Sequence, residues 1–525
     1  MFTLPLQPVV DKEKVISPNI FFNNSKIGLQ EFDNNVKKLA TVLLSKGLKA
    51  DDVIAILLRN DVRQFELIEA CRYLEITFVP LNWHGTGSEL QHILTDSGAS
   101  LLIAHTDLAS AAMSQLSDQL SILVYPTPDN ILASYNIQKP DETLLENRCE
   151  DMTRLLENAK PITTGTKPFR GMFSYTSGST GRPKGIRRQV NQSQPDLYLV
   201  YEGLARTVMK LEKGDRYYIT APIYHSAPNA LSLCCFAARD VDIYIEAKFA
   251  AEKFLADIER YQITHTYIVP TMMIRLLKLP KEVKEKYNIS SLKFAISSGS
   301  AWPADVKQAM IDWFGPIFYE SYGASEIGFM TLISSAEAIK KPGSVGKILP
   351  GGSIKIVDDD KNELAVGESG SIYVYLPMFG DFAYTNSAGN TADERYQGHA
   401  TVGDVGYLDA DGYLYINDRK KDMIISGGAN IFPAEIEAAM IEMPQILDCA
   451  VFGIPDKEYG EKVVAAVMCQ VGHSLNLDQV HAFLEGKISR FKYPRKLDLH
   501  DSLPREDSGK VFKQRLKAVY HSLSI

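Results

Sequence analysis

Short apolar runs alternate with helix-periodic stretches along most of this chain, and that alternation narrows the fold before any single motif does. From Leu29 onward, Phe32, Val36, Leu39, Ala40, Leu43 and Leu44 recur at helical spacing, with Gly47 placed where a C-terminal cap is wanted. A strand-like run, DVIAILL, follows, then the helical stretch QFELIEACRYL and the short run TFVPLNW. The same alternation returns at LLIAH, RYYITAPI, DIYIEA, THTYIVP and LKFAISSGS. Such a pattern predicts layered α/β architecture with largely parallel sheets. Between residues 346 and 415 the texture changes to turn-punctuated runs (GSIKIVDDD, GSIYVYL, GYLYIND), which predicts a more antiparallel section. After DRKKD a small unit restarts with PAEIEAAMIEM, DCAVFGI and EKVVAAVMCQV. A chain of 525 residues is too long for one core. The expected division is a large N-terminal domain over 1–417, a junction at 418–422 and a small C-terminal α+β domain over 423–525.

Charge and cysteine usage exclude several function classes. The 56 basic and 64 acidic side chains leave a net charge of −8, which gives no electrostatic reason to expect nucleic acid or an anionic membrane as partner. Cys71, Cys149, Cys234, Cys235, Cys449 and Cys469 show no CxxC spacing and no His-rich companion, so neither a zinc site nor a disulfide framework is signalled. Buried, reduced thiols are expected. The opening MFTLPLQPVVDKEK lacks a basic n-region, and no run is long enough to span a bilayer. A cytoplasmic protein of soluble metabolism is the expectation.

The stretch FSYTSGSTGRPKGIRR, residues 173–188, carries the chemistry. A flexible linker would explain its composition but not its order. Met172, Phe173 and Tyr175 predict a strand leading in. Thr176, Ser177, Gly178, Ser179, Thr180 and Gly181 then offer hydroxyl donors and a backbone that approaches a ligand closely, which is how phosphate is cradled. Lys184 adds a point charge, and Arg187 and Arg188 lie just beyond. The loop is not a Walker A motif, because Pro183 precedes the lysine and Gly185 stands where Ser or Thr would hold magnesium.

Three further stretches, in order, make the chain resemble the acyl-adenylate-forming enzymes, which include acyl-CoA synthetases, luciferases and peptide-synthetase adenylation domains. The loop is similar to their phosphate-binding signature, with Ser179 where Thr is commoner. YESYGASE (319–326) resembles their Tyr-Gly-x-Thr-Glu motif, with Ser325 replacing Thr. GDVGYLDADGYLYINDRKKD resembles the section that ends in a ribose-binding aspartate, here Asp404, and a hinge arginine, here Arg419. LPREDSGKVFK resembles the C-terminal signature whose lysine, here Lys510, assists adenylation. The resemblance covers roughly the whole chain and implies a mobile small domain.

What it implies chemically is activation of a carboxylic acid by ATP, in which two anions meet and catalysis is mostly charge neutralisation and alignment. By resemblance, residues 176–181 and Lys184 hold the β- and γ-phosphates, Glu326 coordinates Mg²⁺, and Ser325 contacts the α-phosphate. Asp404 accepts from the ribose, with Arg419 beside it, and Lys510 reaches the reacting oxygens. SSGSAW, which contains Gly299, Ser300 and Ala301, resembles the turn against adenine. Glu320, Ser321, Tyr322 and Gly323 join the nucleotide set, with Tyr322 able to stack on the base. His225, in APIYHSAPN, resembles the histidine beside the acyl pocket. Pocket candidates His225, Asn229, 298–302 and 323–330 are mostly small or apolar, which points to an uncharged hydrophobic acid. IISGGANIFPAEIE resembles the segment flanking a pantetheine channel, with Gly427 and Gly428 at the close approach, so CoA is the favoured acceptor. An amino-acid amine, as in coronafacate ligase, is the alternative, and a catalytically silent nucleotide-binding protein is a third reading. Ser474, in VGHSLNLDQV, reads as a turn residue rather than a phosphopantetheine site.

Overall fold

The structure, a computed structural model, describes residues 18–521 except 24, 86, 141–144, 146–147, 170, 177–182, 190–195, 301, 386–394, 421, 427–428 and 506–510. A large N-terminal domain of layered α/β sheets precedes a small C-terminal domain. The helix Leu29–Ser45 buries Phe32, Val36, Leu39, Ala40 and Leu43 of the expected stripe, but Leu44 is exposed and Val42 is buried instead, and Gly47 ends it at φ +81°.

Two parallel sheets form the body of the large domain. In one, Val53–Leu57 lies between Thr77–Pro80 and Ala99–His105, and Ser121–Tyr125 follows, all parallel. In the other, Arg216–Ile219 lies between Asp242–Ile245 and His265–Tyr267, followed in parallel by Phe294–Ser297 and Phe318–Glu320. The predicted antiparallel section is real but is not a separate sheet. Thr331–Ser334 pairs antiparallel with Phe318–Glu320, and through Ser344–Ile348, Leu414–Arg419, Asp404–Leu408 and Gly370–Tyr375 the sheet extends to fifteen strands among the described residues, Ser353–Val357 pairing Gly370–Tyr375 off the main path. A three-stranded sheet, Ser174–Thr176, Lys184–Gln189 and Asp381–Tyr384, carries the flanks of the phosphate-loop candidate.

Residues 59–61 tie the two parallel sheets together just beyond the strand Val53–Leu57. The buried Asn60 amide donates to the Ala221 and Glu246 carbonyls at 3.0 and 3.1 Å, and its oxygen accepts the Ile223 N–H at 3.0 Å. Asp61 caps the helix Val62–Leu74 and bonds His105 Nε2 at 3.1 Å, while Arg59 and Asp107 form a buried ion pair at 2.8 Å.

The small domain is built on a long antiparallel hairpin, Ile446–Asp456 with Gly460–Cys469, which Lys496–Leu499 extends in parallel. The helices Pro433–Ile441, Leu477–Leu484 and Lys513–His521 pack with it. Ser474 is exposed in the connection between hairpin and helix, where a turn residue was expected. Cys71, Cys234, Cys235 and Cys449 are buried, Cys149 and Cys469 are half-buried, and all six are free thiols. Among the described residues no helix is long and apolar enough to cross a membrane.

Asn60→Ala would leave two carbonyls and one N–H without partners inside the large domain. A buried group left unsatisfied costs about 1–3 kcal/mol, so urea unfolding should show a loss of about 3 kcal/mol or more. An unchanged midpoint would mean that Asn60 is not what joins the sheets.

Candidate functional site

Thr176 ends one strand of the three-stranded sheet and pairs in register with Lys184, the first residue of the next. The intervening candidates Ser177, Gly178, Ser179, Thr180 and Gly181 lie outside the described residues. Packing accounts for Gly185. A Cβ there would lie 2.7 Å from Thr385 Oγ1 and 2.8 Å from the rings of Phe173 and Tyr175, so neither Ser nor Thr fits behind the lysine. Lys184 Nζ lies 5.7 Å from the centre of the Tyr384 ring. The hydroxyl of the same Tyr384 donates to Glu326 Oε1 at 3.0 Å. Cation, aromatic ring and carboxylate are thereby linked across three segments of chain.

The turn that presents Glu326 is held from behind by Arg188. Its guanidinium donates to the carbonyls of Ser325, Glu326 and Phe379 at 3.1, 3.2 and 3.1 Å, and burial lowers its pKa. Ser325 Oγ meets Ser226 Oγ at 2.9 Å. Ser226 opens the helix Ser226–Ala238, whose N-cap is His225, so the acyl-side histidine sits one residue from a direct contact to the 325–326 turn. The His225 ring packs on Tyr224 at 4.1 Å between centroids, and Asn229, one turn further, bonds the Ile223 carbonyl at 2.9 Å.

Asp404 and Arg419 face each other across neighbouring strands, with Oδ1 and Nε 3.3 Å apart, while Tyr322 donates its hydroxyl to Asp404 Oδ2 at 2.5 Å. Burial, then the Asp404 carboxylate, pushes the Tyr322 phenol well above its usual range, so it remains a donor. The Tyr322 phenol also feels the charges of Arg419 and Glu326, which places the ribose-side and metal-side candidates in one neighbourhood. Gly323 pairs with Phe329 in a two-stranded hairpin, and a Cβ on it would meet the Gly328 carbonyl at 2.6 Å.

The turn 298–302 follows the strand Phe294–Ser297, with Gly299 at φ +92°, a left-handed geometry that favours glycine. Ser300 is half-buried in that turn, and Ala301 lies outside the described residues. Tyr267 donates to the Ser298 carbonyl at 3.1 Å, and the Ser321 N–H to the Ser297 carbonyl at 2.9 Å. Ser297 Oγ and Ser321 Oγ are buried and have no partner among the described residues, so polar groups at these strand ends are unclaimed by the fold. Glu320 is claimed: its carboxylate makes a 2.5 Å ion pair with Lys307, burial raising its pKa and Lys307 opposing that rise. Lys510, Gly427 and Gly428 lie outside the described residues.

Sequence reasoning missed Tyr384, Lys307, Ser226 and the anchoring use of Arg188. It also missed Asp96, which accepts the hydroxyls of Tyr175 at 2.7 Å and Thr385 at 2.5 Å, and His92, whose Nε2 lies 3.2 Å from the Pro183 carbonyl. His92 and Asp96 lie one turn apart in the helix Gly87–Ser97. That spacing was the one available signal.

A family described as AMP-binding enzyme matches residues 7–379, and a second, described as AMP-binding enzyme C-terminal domain, matches residues 435–510. The indoleacetate–CoA ligase of Aromatoleum aromaticum is 30% identical over 522 residues, covering 98% of each chain. Among solved structures, ATP-bound MatB from Rhodopseudomonas palustris superimposes with a TM-score of 0.80 at 27% identity, covering 95% of this chain and 94% of that one. The amide bond synthetase McbA from Marinactinospora thermotolerans gives a TM-score of 0.82 at 22% identity over 96% and 97%, a likeness of fold.

The Lys307–Glu320 pair is open to a double-mutant test, since its side chains are only 13% and 10% exposed. Breaking a buried pair from one side costs about 3–5 kcal/mol, whereas replacing both partners by apolar groups is often neutral. Lys307→Met should therefore lower urea stability markedly, and Lys307→Met with Glu320→Leu should recover most of it. Equal loss in both variants would contradict the pairing.

Proposed function

This chain belongs to the AMP-binding enzyme family, and we propose that it is an ATP-dependent acid–CoA ligase acting on an uncharged, hydrophobic, ring-bearing acid. In the first step a carboxylate oxygen of the acid attacks the α-phosphorus of ATP, and the bond to pyrophosphate breaks. In the second the thiol sulfur of CoA attacks the acyl carbon, its proton is lost, and AMP leaves. The observation that carries this reading is the line of Lys184, Tyr384 and Glu326, cation over ring and phenol on carboxylate, in a chain similar from end to end to an acid–CoA ligase.

Each residue then has a task. Lys184 and the segment 176–181 neutralise the outgoing pyrophosphate, where charge must be met in place rather than by reorganising water. Glu326 would hold Mg²⁺ together with phosphate oxygens and water. Among the described residues no three His, Cys, Asp or Glu side chains gather into a protein cage, and magnesium is commonly held by one or two carboxylates plus substrate phosphates. When bound it supplies positive charge at the phosphates. Asp404, although bonded by Tyr322, keeps acceptor capacity for ribose hydroxyls. Ser325 faces the α-phosphate from the turn that Arg188 secures. His225 and Asn229, on the helix beside that turn, border the acyl group. Lys510 brings charge from the small domain to the meeting of the two anions. Residues 418–422 act as the hinge between 1–417 and 423–525, so that Lys510 serves the first step and Gly427 and Gly428 admit the thiol arm in the second.

An amide bond synthetase shares the fold, so the product decides the acceptor. Mass spectrometry of reactions holding ATP, Mg²⁺ and a panel of arylacetic, arylpropenoic and fatty acids, with either CoA or pooled amino acids, should yield a thioester and AMP. An amide with no thioester would overturn the CoA reading and promote the coronafacate-ligase-like one. Lys510→Ala should abolish ATP–pyrophosphate exchange yet largely spare thioester formation from a supplied acyl-adenylate, because its charge is needed only when two anions meet. Equal loss of both half-reactions would refute that role.

A further inference from the structure

We propose that Asp96 is a positioning residue for the phosphate end of the site, setting the distance between Lys184 and Glu326 without touching the nucleotide. The inference rests on the reading above, in which Lys184 and Glu326 act on the ATP phosphates and their metal ion. Asp96 lies near the end of the helix Gly87–Ser97, outside the three-stranded sheet, and one of its oxygens accepts from both edges of that sheet. Tyr175 belongs to the edge strand Ser174–Thr176, and Thr385 directly follows the opposite edge strand Asp381–Tyr384. Between them runs the strand Lys184–Gln189, whose Gly185 is closed in by Thr385, Phe173 and Tyr175.

Thr385 also donates its N–H to the Gly185 carbonyl at 2.9 Å, so the strand is fixed to the segment next to Tyr384. Tyr384 is the residue that carries both the Lys184 and the Glu326 contacts. Asp96 thus fixes the two outer strands at the level of Gly185, and the consequence is carried one residue along to the cation and through one ring to the carboxylate. His92, a turn earlier on the same helix, meets the Pro183 carbonyl on the loop side of Lys184. One helix face therefore meets the residue before Lys184 and, through Tyr175 and Thr385, both segments that flank Gly185. Hydrogen bonds to a charged acceptor are the strong ones, and Tyr175, pushed up chiefly by burial and then by Asp96, stays a donor.

The test is calorimetric titration of the full-length protein with α,β-methylene-ATP in the presence of Mg²⁺, for wild type, Asp96→Ala, Asp96→Asn and Lys184→Met. Asp96→Ala should bind about tenfold more weakly, the equivalent of one charge-assisted hydrogen bond, with the melting temperature of the apoprotein close to wild type. Asp96→Asn, whose amide oxygen still accepts both hydroxyls, should recover most of the affinity. Wild-type affinity in Asp96→Ala alongside weakened binding in Lys184→Met would overturn the proposal and leave the functional reading intact. Wild-type affinity in Lys184→Met would overturn the reading on which it rests. Failure of Asp96→Asn to recover affinity, or affinity loss in step with a falling melting temperature, would assign Asp96 to general stability and likewise overturn the proposal.

Discussion

The candidate site depends on a guanidinium whose hydrogen bonds among the described residues go to carbonyl oxygens. Among the described residues Arg188 gives its hydrogen bonds to three backbone oxygens, from Ser325, Glu326 and Phe379, and stacks near the Phe379 ring at 5.4 Å. Carbonyl dipoles satisfy the donors but do not cancel the charge. The cation therefore remains a source of positive field beside Glu326, even though burial opposes it, because arginine holds its proton under conditions where lysine would not. A paired arginine would fix the same turn and leave the site neutral. The arrangement suits a ligand that arrives with several negative charges, and it makes the 325–326 turn and the lysine-bearing strand one rigid piece.

Where that piece sits follows from the sheets. The candidates Gly299, Ser300, Ser321 and Tyr322 all lie just beyond the carboxyl ends of parallel strands, Phe294–Ser297 and Phe318–Glu320. Crevices outside the carboxyl ends of strands are where open α/β sheets bind ligands, because the chain must turn there and can offer backbone donors without breaking the ladder. The ion pair of Lys307 with Glu320 closes the sheet at the same level, so the strand end stays fixed while the next residues remain available. Asn60 does a comparable task between the two parallel sheets.

The sequence made the strands and the motif residues readable for different reasons. Apolar runs such as DVIAILL and RYYITAPI mark buried parallel strands because both of their faces are covered, and local pattern suffices for that. Lys184, Glu326, Asp404 and Lys510 were named from their motifs and the order of those motifs, and the structure links Lys184 and Glu326 through Tyr384, while Lys510 lies outside the described residues. Tyr384, Arg188 and Asp96 were not readable in this way, since each acts through a partner far along the chain: Tyr384 on Glu326 across 58 residues, Arg188 on Phe379 across 191, and Asp96 on Thr385 across 289. No period encodes such separations. Glu320 was named from its place in the motif, but its pairing with Lys307 across thirteen residues was not visible there. The continuity of parallel and antiparallel strands in one path was likewise hidden, because pairing of Phe318–Glu320 with Thr331–Ser334 depends on a reversal and not on composition.

The strand Leu414–Arg419 shows how the two domains can be read by one element. Successive side chains on a strand point to opposite faces, and here its last two residues serve different bodies. Arg419 meets Asp404 of the large domain. Asp418 turns the other way and accepts the N–H of Ala434 at 2.9 Å. That N–H is the first one the helix Pro433–Ile441 has to offer, because proline occupies the position before it, so a residue of the junction caps a helix of the small domain. Asp418 also attracts Lys513, which makes a 2.9 Å ion pair with Glu437 on that same helix. Burial raises the pKa of both carboxylates and Lys513 opposes the rise, so the ammonium is shared between junction and small domain. The peptide bond between residues 418 and 419 consequently joins a contact to Asp404 of the large domain with a contact to the helix and lysine of the small domain. Pairing with the strand Asp404–Leu408 runs as far as Arg419, and the Lys420 N–H still donates to the Gly403 carbonyl at 2.8 Å, so the chain is held to the large domain through residue 420.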